Sequence, residues 1–246
     1  MEHHRVALVT GVSRRIGIAH AVATRLHAEG FVVFATGWSP HDDEQPWGAD
    51  AGVAAPFPLH QHDLEVPGTP AMLVDEVVAA HGAIDVVVAV HARSSELDLA
   101  HLTAAELDRS WAANVRSVVL LAQRFAEVHD ASRPGGRMLW FTSGQHLGPM
   151  PGTLPYTVTK GALQAMTASL ADALIDHGIA ANCINPGPVD TGWATPEVRE
   201  AVARRFPSGR WGTPDDVANL VSFLVSDEGG WLVGQVLNSE GGFRRS

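Results

Sequence analysis

RVALVTGVSRRIGIAHA, residues 5–21, runs from a short apolar stretch through a glycine turn into a segment of helical period. Val6 to Val9 are apolar without alternation, as in a strand covered on both faces. Ile18, Val22, Ala23 and Leu26 then recur on one helical face. Between them Gly11 permits a tight turn, and Gly17 opens the helix and permits its close packing on the strand. Unpaired N–H groups at such a helix start suit a pyrophosphate. Strand–glycine–helix joins are common, so this stretch alone opens an α/β fold and only suggests a nucleotide site.

The same alternation continues along the chain. Val32 to Ala35, Val86 to Val90, Met138 to Phe141, Ala180 to Ile184 and Leu232 to Leu237 read as further strands. Leu102, Leu107, Trp111 and Val115, then Leu163, Met166, Leu170 and Leu174, read as helices between them. A parallel α/β sandwich accommodates this order. Gly30 stops the first helix, Trp38 to Pro58 reads as a surface loop, and DASRPGG and PGTLP punctuate loops. With 246 residues, 46% hydrophobic, and no linker or repeat, one domain over residues 1–246 is expected.

Charge and cysteine usage narrow the function. A net charge of −10 without a Lys/Arg-rich run argues against nucleic acid and anionic membrane as partners. No run reaches the ~20 apolar residues of a membrane span, and MEHHRVALVTG does not read as a signal peptide. Cys183, the single cysteine, lies in the apolar run IAANCI and reads as an inert core thiol. A cytoplasmic location is expected.

Chemistry concentrates at Ser143, Tyr156 and Lys160. Tyr156 and Lys160 stand four apart in a helical segment, on one face. A phenol titrates near 10, about three units above neutrality, and an adjacent ammonium favours the phenolate. Ser143, just after an apolar strand, can hydrogen-bond a carbonyl or hydroxyl beside them. Tyr156 is the only tyrosine in the chain, which weighs against a chance pair.

With these residues the chain resembles the classical short-chain dehydrogenase/reductase family, and the likeness covers nearly its whole length. It rests on TG at the start, S-x12-YxxxK, Asn114 in WAANVRS, PGPVDTG at Pro186 to Gly192, GRWGTPDDVA from Gly209 and the closing GQVLNSEGG. The resemblance implies a Rossmann-type doubly wound parallel sheet of about seven strands with helices on both faces. It implies Tyr156 as general acid/base, Lys160 lowering the tyrosine's pKa and holding the nicotinamide ribose, and Ser143 orienting the reacting oxygen. Asn114 would hold a relay water. Gly11, Ser13, Arg14, Arg15, Ile16 and Gly17 would face the phosphates; Gly37, Trp38, Asp63, Leu64 and Ala89 the adenosine; and Pro186, Gly187, Val189 and Thr191 the nicotinamide end. No metal is called for.

NADP(H) is favoured over NAD(H). Gly37 and Trp38 place no carboxylate at the end of the second strand, and Arg14 and Arg15 offer cations for a 2′-phosphate. In the three-glycine turn of the family, only the middle position is altered, to Arg15. The divergent enoyl-acyl-carrier reductases also lack that glycine, so the turn reads as a working phosphate site. The family's NNAG is here Ala89-Val90-His91-Ala92, with a packed His91 preferred to one facing the pocket. Residues 191–212 correspond to the substrate-covering segment. Candidate substrate contacts are Arg93 for an anion, Gln145, His146, Leu147 and Trp193; Phe206 and Trp211 would line an apolar wall.

The expected activity interconverts a carbonyl and a secondary alcohol, on a 3-oxoacyl chain or a small ketone. A homotetramer or homodimer is expected. The alternative from the altered turn and AVHA is a non-redox relative, either a dehalogenase-like lyase or a cofactor-sensing binding protein.

Overall fold

The computed structural model describes residues 4–50, 55–133 and 135–245. The strands are β1 (Val6–Thr10), β2 (Val32–Gly37), β3 (Leu59–Gln61), β4 (Val86–Ala89), β5 (Gly136–Phe141), β6 (Ile179–Asn185) and β7 (Val236–Asn238). They form one parallel sheet in the order β3-β2-β1-β4-β5-β6-β7. The helices are α1 (Ile18–Ala28), α2 (Ser39–Asp43), α3 (Thr69–His81), α4 (Ala104–Trp111), α5 (Ser117–Val128), α6 (Leu154–Ala165), α7 (Thr167–Ile175), α8 (Pro196–Ala203) and α9 (Pro214–Val225).

The two faces of the sheet are separate cores. Val6 and Leu8 of β1 pack with Leu73, Leu121, Phe125 and Leu163 beneath α3, α5 and α6. Ala7 and Val9 point the other way, against Val22, Leu26, Val221 and Leu224 of α1 and α9. This alternation is the period-2 geometry of a strand buried on both sides, and it is the doubly wound architecture expected. The order reverses between β1 and β4, so the strand ends there open a crevice for ligands.

Beyond β3, which the sequence reading does not single out, and the break between α6 and α7, three differences from that reading bear on the site. The stretch Trp38 to Pro58 contains α2, because Pro40 sits in a helical first turn where its missing N–H is harmless. The last strand begins at Val236, not Leu232, since a 3-10 turn occupies Glu228–Trp231 and Gly234 stands at φ 70°. The periodic run from Leu102 to Val115 becomes α4 followed by a π-helical turn at Ala112–Arg116, which carries Asn114. Such a bulge often marks a functional position.

Candidate active site

The phosphate turn is shaped by close backbone approach. Gly11 has φ 81°, and a Cβ there would lie 2.7 Å from the His91 nitrogen, so the end of β4 packs directly on it. Gly37 is closed in the same way: its Cβ would meet the Val12 carbonyl at 2.8 Å. Gly17 relieves crowding with the Arg14 carbonyl, 3.1 Å from its Cβ position, rather than helix against strand. It also begins α1 without a side-chain cap or a first-turn acid, leaving the helix N-terminus able to bind an anion.

A cleft of about 270 Å³ lies over this turn. Gly11, Ser13, Arg14 and Gly17 form its floor; Gly37, Trp38, Asp63, Leu64 and Thr191 line it further out, as does Arg93. Arg14 Nε is buried and has no hydrogen-bond partner among the described residues, and its guanidinium lies 5.1 Å from the Trp47 ring. An orphaned guanidinium N–H beside an open helix start fits an anionic group of a dinucleotide. Arg15 does not line the cleft; its N–H donates to Asp50 Oδ2 at 2.7 Å and its side chain is 59% exposed. Ile16 packs toward Gly192, 3.3 Å from that residue's Cβ position.

Two side chains of the cleft, Asp42 and Trp47, escape a sequence reading. Asp42 is buried on the wall, hydrogen-bonded by Trp47 Nε1 at 3.3 Å. The absence of a carboxylate at Gly37 and Trp38 therefore does not leave the region without one, because α2 brings Asp42 back. His91 borders the cleft but is packed into the fold: Nδ1 bonds Thr10 Oγ1 at 2.6 Å, and Nε2 meets Ala113 O at 3.0 Å and Ser117 Oγ at 2.8 Å. It replaces the missing asparagine by tying the ends of β1 and β4 to the π-turn. Burial, with Lys160 adding repulsion, lowers its pKa to about 3, so the ring is neutral.

Arg93 takes partners other than the expected substrate anion. Its guanidinium grips Glu106 at 2.8 and 3.1 Å and faces Glu65 at 3.4 Å and Glu44 at 3.7 Å. Burial lowers its pKa, but the hydrogen bonds and charge of Glu106 outweigh this and the net shift is upward. A guanidinium so committed is a brace between α2, α4 and the segment after β3.

The four catalytic candidates meet at the ends of β4 and β5. Asn114, fully buried, donates Nδ2 to Arg93 O at 3.0 Å and to Thr159 Oγ1 at 2.9 Å, and accepts from Arg93 N–H at 2.6 Å. Thr159 in turn donates to the Tyr156 carbonyl at 2.8 Å. Burial pushes the Tyr156 phenol above its ordinary value, and the Ser143 side chain pulls it partly back. Lys160, 2% exposed, lies 5.4 Å from the Tyr156 ring centroid and donates to Phe141 O at 2.8 Å. Burial lowers its pKa to about 8. The expected lowering of the tyrosine by Lys160 is not seen, because the ammonium is turned to a carbonyl.

The remaining expectations divide. Ala89 is buried in β4, one residue short of the cleft. Pro186 and Val189 line a second cavity of about 240 Å³ with Phe206 and Trp211, while Gly187 lies under Glu240. Val189 pairs with Gly212, joining both ends of the 191–212 segment. Gln145 donates to Thr142 and Gln164, at 3.0 and 2.9 Å. His146 and Leu147 are exposed, and Trp193 is exposed with its ring edge-on to Trp211 at 5.7 Å. Cys183 is buried and its thiol is pushed up to about 11 by burial.

A crevice at the sheet's switch point with a Ser–Tyr–Lys group beside it is the layout expected of a short-chain oxidoreductase. The chain belongs to the short-chain dehydrogenase/reductase family. A family model described as enoyl-(acyl carrier protein) reductase matches residues 11–244. The uncharacterized oxidoreductase YjdA of Bacillus subtilis (strain 168) is 38% identical over 258 residues, covering 98% of this chain and 97% of that protein. A short-chain dehydrogenase from Burkholderia cenocepacia J2315, solved in complex with NADP, is 31% identical with TM-score 0.82, covering 97% of each chain. The TT0495 protein of Thermus thermophilus is 33% identical with TM-score 0.81, covering 98% of this chain and 99% of that one. The protein is thus an NAD(P)-dependent oxidoreductase, which sets the non-redox reading aside.

Proposed function

We propose that the protein is an NADP(H)-dependent reductase that interconverts a carbonyl and a secondary alcohol on a small, largely apolar molecule or a 3-oxoacyl chain. The carrying observation is the Ser143 hydroxyl acting on the Tyr156 phenol, with Lys160 one turn along the same helix and 5.4 Å from the phenol ring. A nicotinamide held there would supply or receive the hydride. Ser143 orients the substrate oxygen and donates to the charge that develops on it. Tyr156, kept protonated by burial, gives its proton to that oxygen in reduction and takes it back in oxidation. Lys160 would hold the nicotinamide ribose, and Asn114 fixes the backbone at Arg93 and, through Thr159, the first turn of α6.

Arg14 supports NADP(H): among the described residues its buried N–H has no partner, and the Trp47 ring stands beside it, as a 2′-phosphate site needs. Asp42 is the group that would suit an unphosphorylated ribose, and its hydrogen bond from Trp47 holds it on the cleft wall. The same reading takes the enzyme as a cytoplasmic homotetramer or homodimer. Trp231, 96% exposed, and Phe223 supply apolar surface for such contacts, and among the described residues no helix is long and apolar enough to cross a membrane. The test titrates NADPH and NADH against tryptophan fluorescence, then follows NADPH oxidation over ketones and 3-oxoacyl thioesters. Binding of neither nucleotide contradicts the proposal, as does a panel without turnover.

A further inference from the structure

Residues 240–245 touch three walls of the active site at once. After β7 it turns through Gly241 and Gly242, at φ 56° and 74°, and heads back toward Ser143. Glu240 holds the first wall: Oε1 accepts from Asn185 Nδ2 at 2.9 Å, and Asn185 Oδ1 accepts from the Gly187 N–H at 3.1 Å. A Cβ at Gly187 would come within 2.9 Å of the Glu240 Cα, Cβ and Cγ, so the segment leading to Val189 and Thr191 rests on the backbone and methylenes of Glu240.

Arg245 holds the second wall. Its Nη1 donates to Glu240 Oε2 at 2.6 Å, and its other terminal nitrogen bonds Oε1. The guanidinium lies against Gly144, the residue after Ser143, and fills the space a Cβ would take; Arg245 Cδ is 2.9 Å from the Cβ position of Gly148. The third wall is the segment that follows α8. The Phe243 ring lies between the guanidinium carbons of Arg205 and Arg245, at 4.8 and 5.2 Å, and 5.0 Å from the Phe206 ring. Arg205 Nε donates to Arg244 O at 2.7 Å, and the Arg244 N–H donates to Arg205 O at 3.0 Å.

We infer that residues 240–245 are a strap that sets the width of the substrate side of the active site, with Arg245 positioning the Ser143 loop. The inference rests on the reading of Ser143 and Tyr156 as the reacting pair. The side chains of Arg245 and Glu240 are only 23% and 10% exposed, so their pairing is shielded from solvent and stronger than a surface ion pair. Because Glu240 neutralises Arg245, the arginine acts by geometry and not by recruiting an anionic substrate. Two glycines, at positions 144 and 148, give it a seat that larger residues would close.

The test compares wild type, Arg245→Ala and Arg245→Lys as full-length proteins by hydrogen–deuterium exchange, and by kinetics on the carbonyl that turns over best. In Arg245→Ala, amides of residues 144–148 and 202–206 exchange about fivefold faster, while those of β1 and β4 do not change, because the loss is local. The substrate KM rises about tenfold with the nucleotide KM unchanged, since the reacting oxygen is held less well. Arg245→Lys keeps the charge without the two-pronged, ring-stacked guanidinium and shows most of both effects. Unchanged exchange at 144–148, a uniform rise across the sheet, or full recovery with lysine overturns the strap. If no carbonyl turns over, the exchange experiment still decides the strap, and only the catalytic reading fails.

Discussion

His91 makes the stability of the protein sensitive to acid in a calculable way. The ring's pKa is lowered from an ordinary value of 6.5 to about 3, because it is packed among Thr10, Ala113 and Ser117, away from bulk water, with Lys160 nearby. Below pH 6.5 the unfolded chain takes up a proton that the folded protein refuses until about pH 3. A depressed histidine thus removes stability as pH falls through that window. The loss is about 1.4 kcal/mol per pH unit, or about 2 kcal/mol between pH 7.5 and 5.0. For a chain of this size that is about 4–8 °C in Tm. His91→Asn removes the titration but shortens the bridge, so at pH 7.5 the variant is less stable by about 1–3 kcal/mol. Thermal unfolding of both proteins from pH 7.5 to 5.0 isolates the effect, since the other histidines titrate alike in each. The gap should narrow by about 2 kcal/mol toward pH 5.0. A gap that stays constant or widens would refute the neutral, packed role of His91.

Two further outcomes follow from the charges in the site. Arg14→Glu should weaken NADPH about 100-fold and NADH less than about fivefold, because a buried charge-assisted contact is reversed for one nucleotide only; equal losses by fluorescence titration would remove Arg14 from phosphate recognition. Lys160→Met should lower turnover about 100-fold or more while Tm holds or rises, because burying an ammonium without a carboxylate partner is unfavourable. A large fall in Tm would instead make Lys160 a structural residue.

The fold is readable in the sequence because both sheet faces are covered. Val6 to Val9 and Val86 to Val88 are apolar throughout, and helix periods separate them. The last strand starts later than its pattern suggests because GWLVGQVL is apolar on either side of Gly234, and only the positive φ of that glycine decides where extended backbone begins. The Ser143, Tyr156 and Lys160 set is legible from spacing, since one helix and one strand end carry all three. Asp42 and Trp47 are not, because α2 folds them back over the cleft from a stretch that reads as loop. Arg93 looks free in sequence; its partners Glu44, Glu65 and Glu106 come from three distant segments. Arg245 gives no local signal at all, since its meaning depends on glycines about 100 positions earlier.

Tyr156→Phe tests the central claim most directly. The substitution deletes one hydroxyl from a ring that stays packed on α6, and with it the proton given to the substrate oxygen. Turnover of NADPH with the best carbonyl should fall at least about 1,000-fold, within the range of general acid catalysis, while NADPH affinity stays within about twofold. Activity within about tenfold of wild type, with the nucleotide still bound, would contradict the assignment of Tyr156 as the general acid/base.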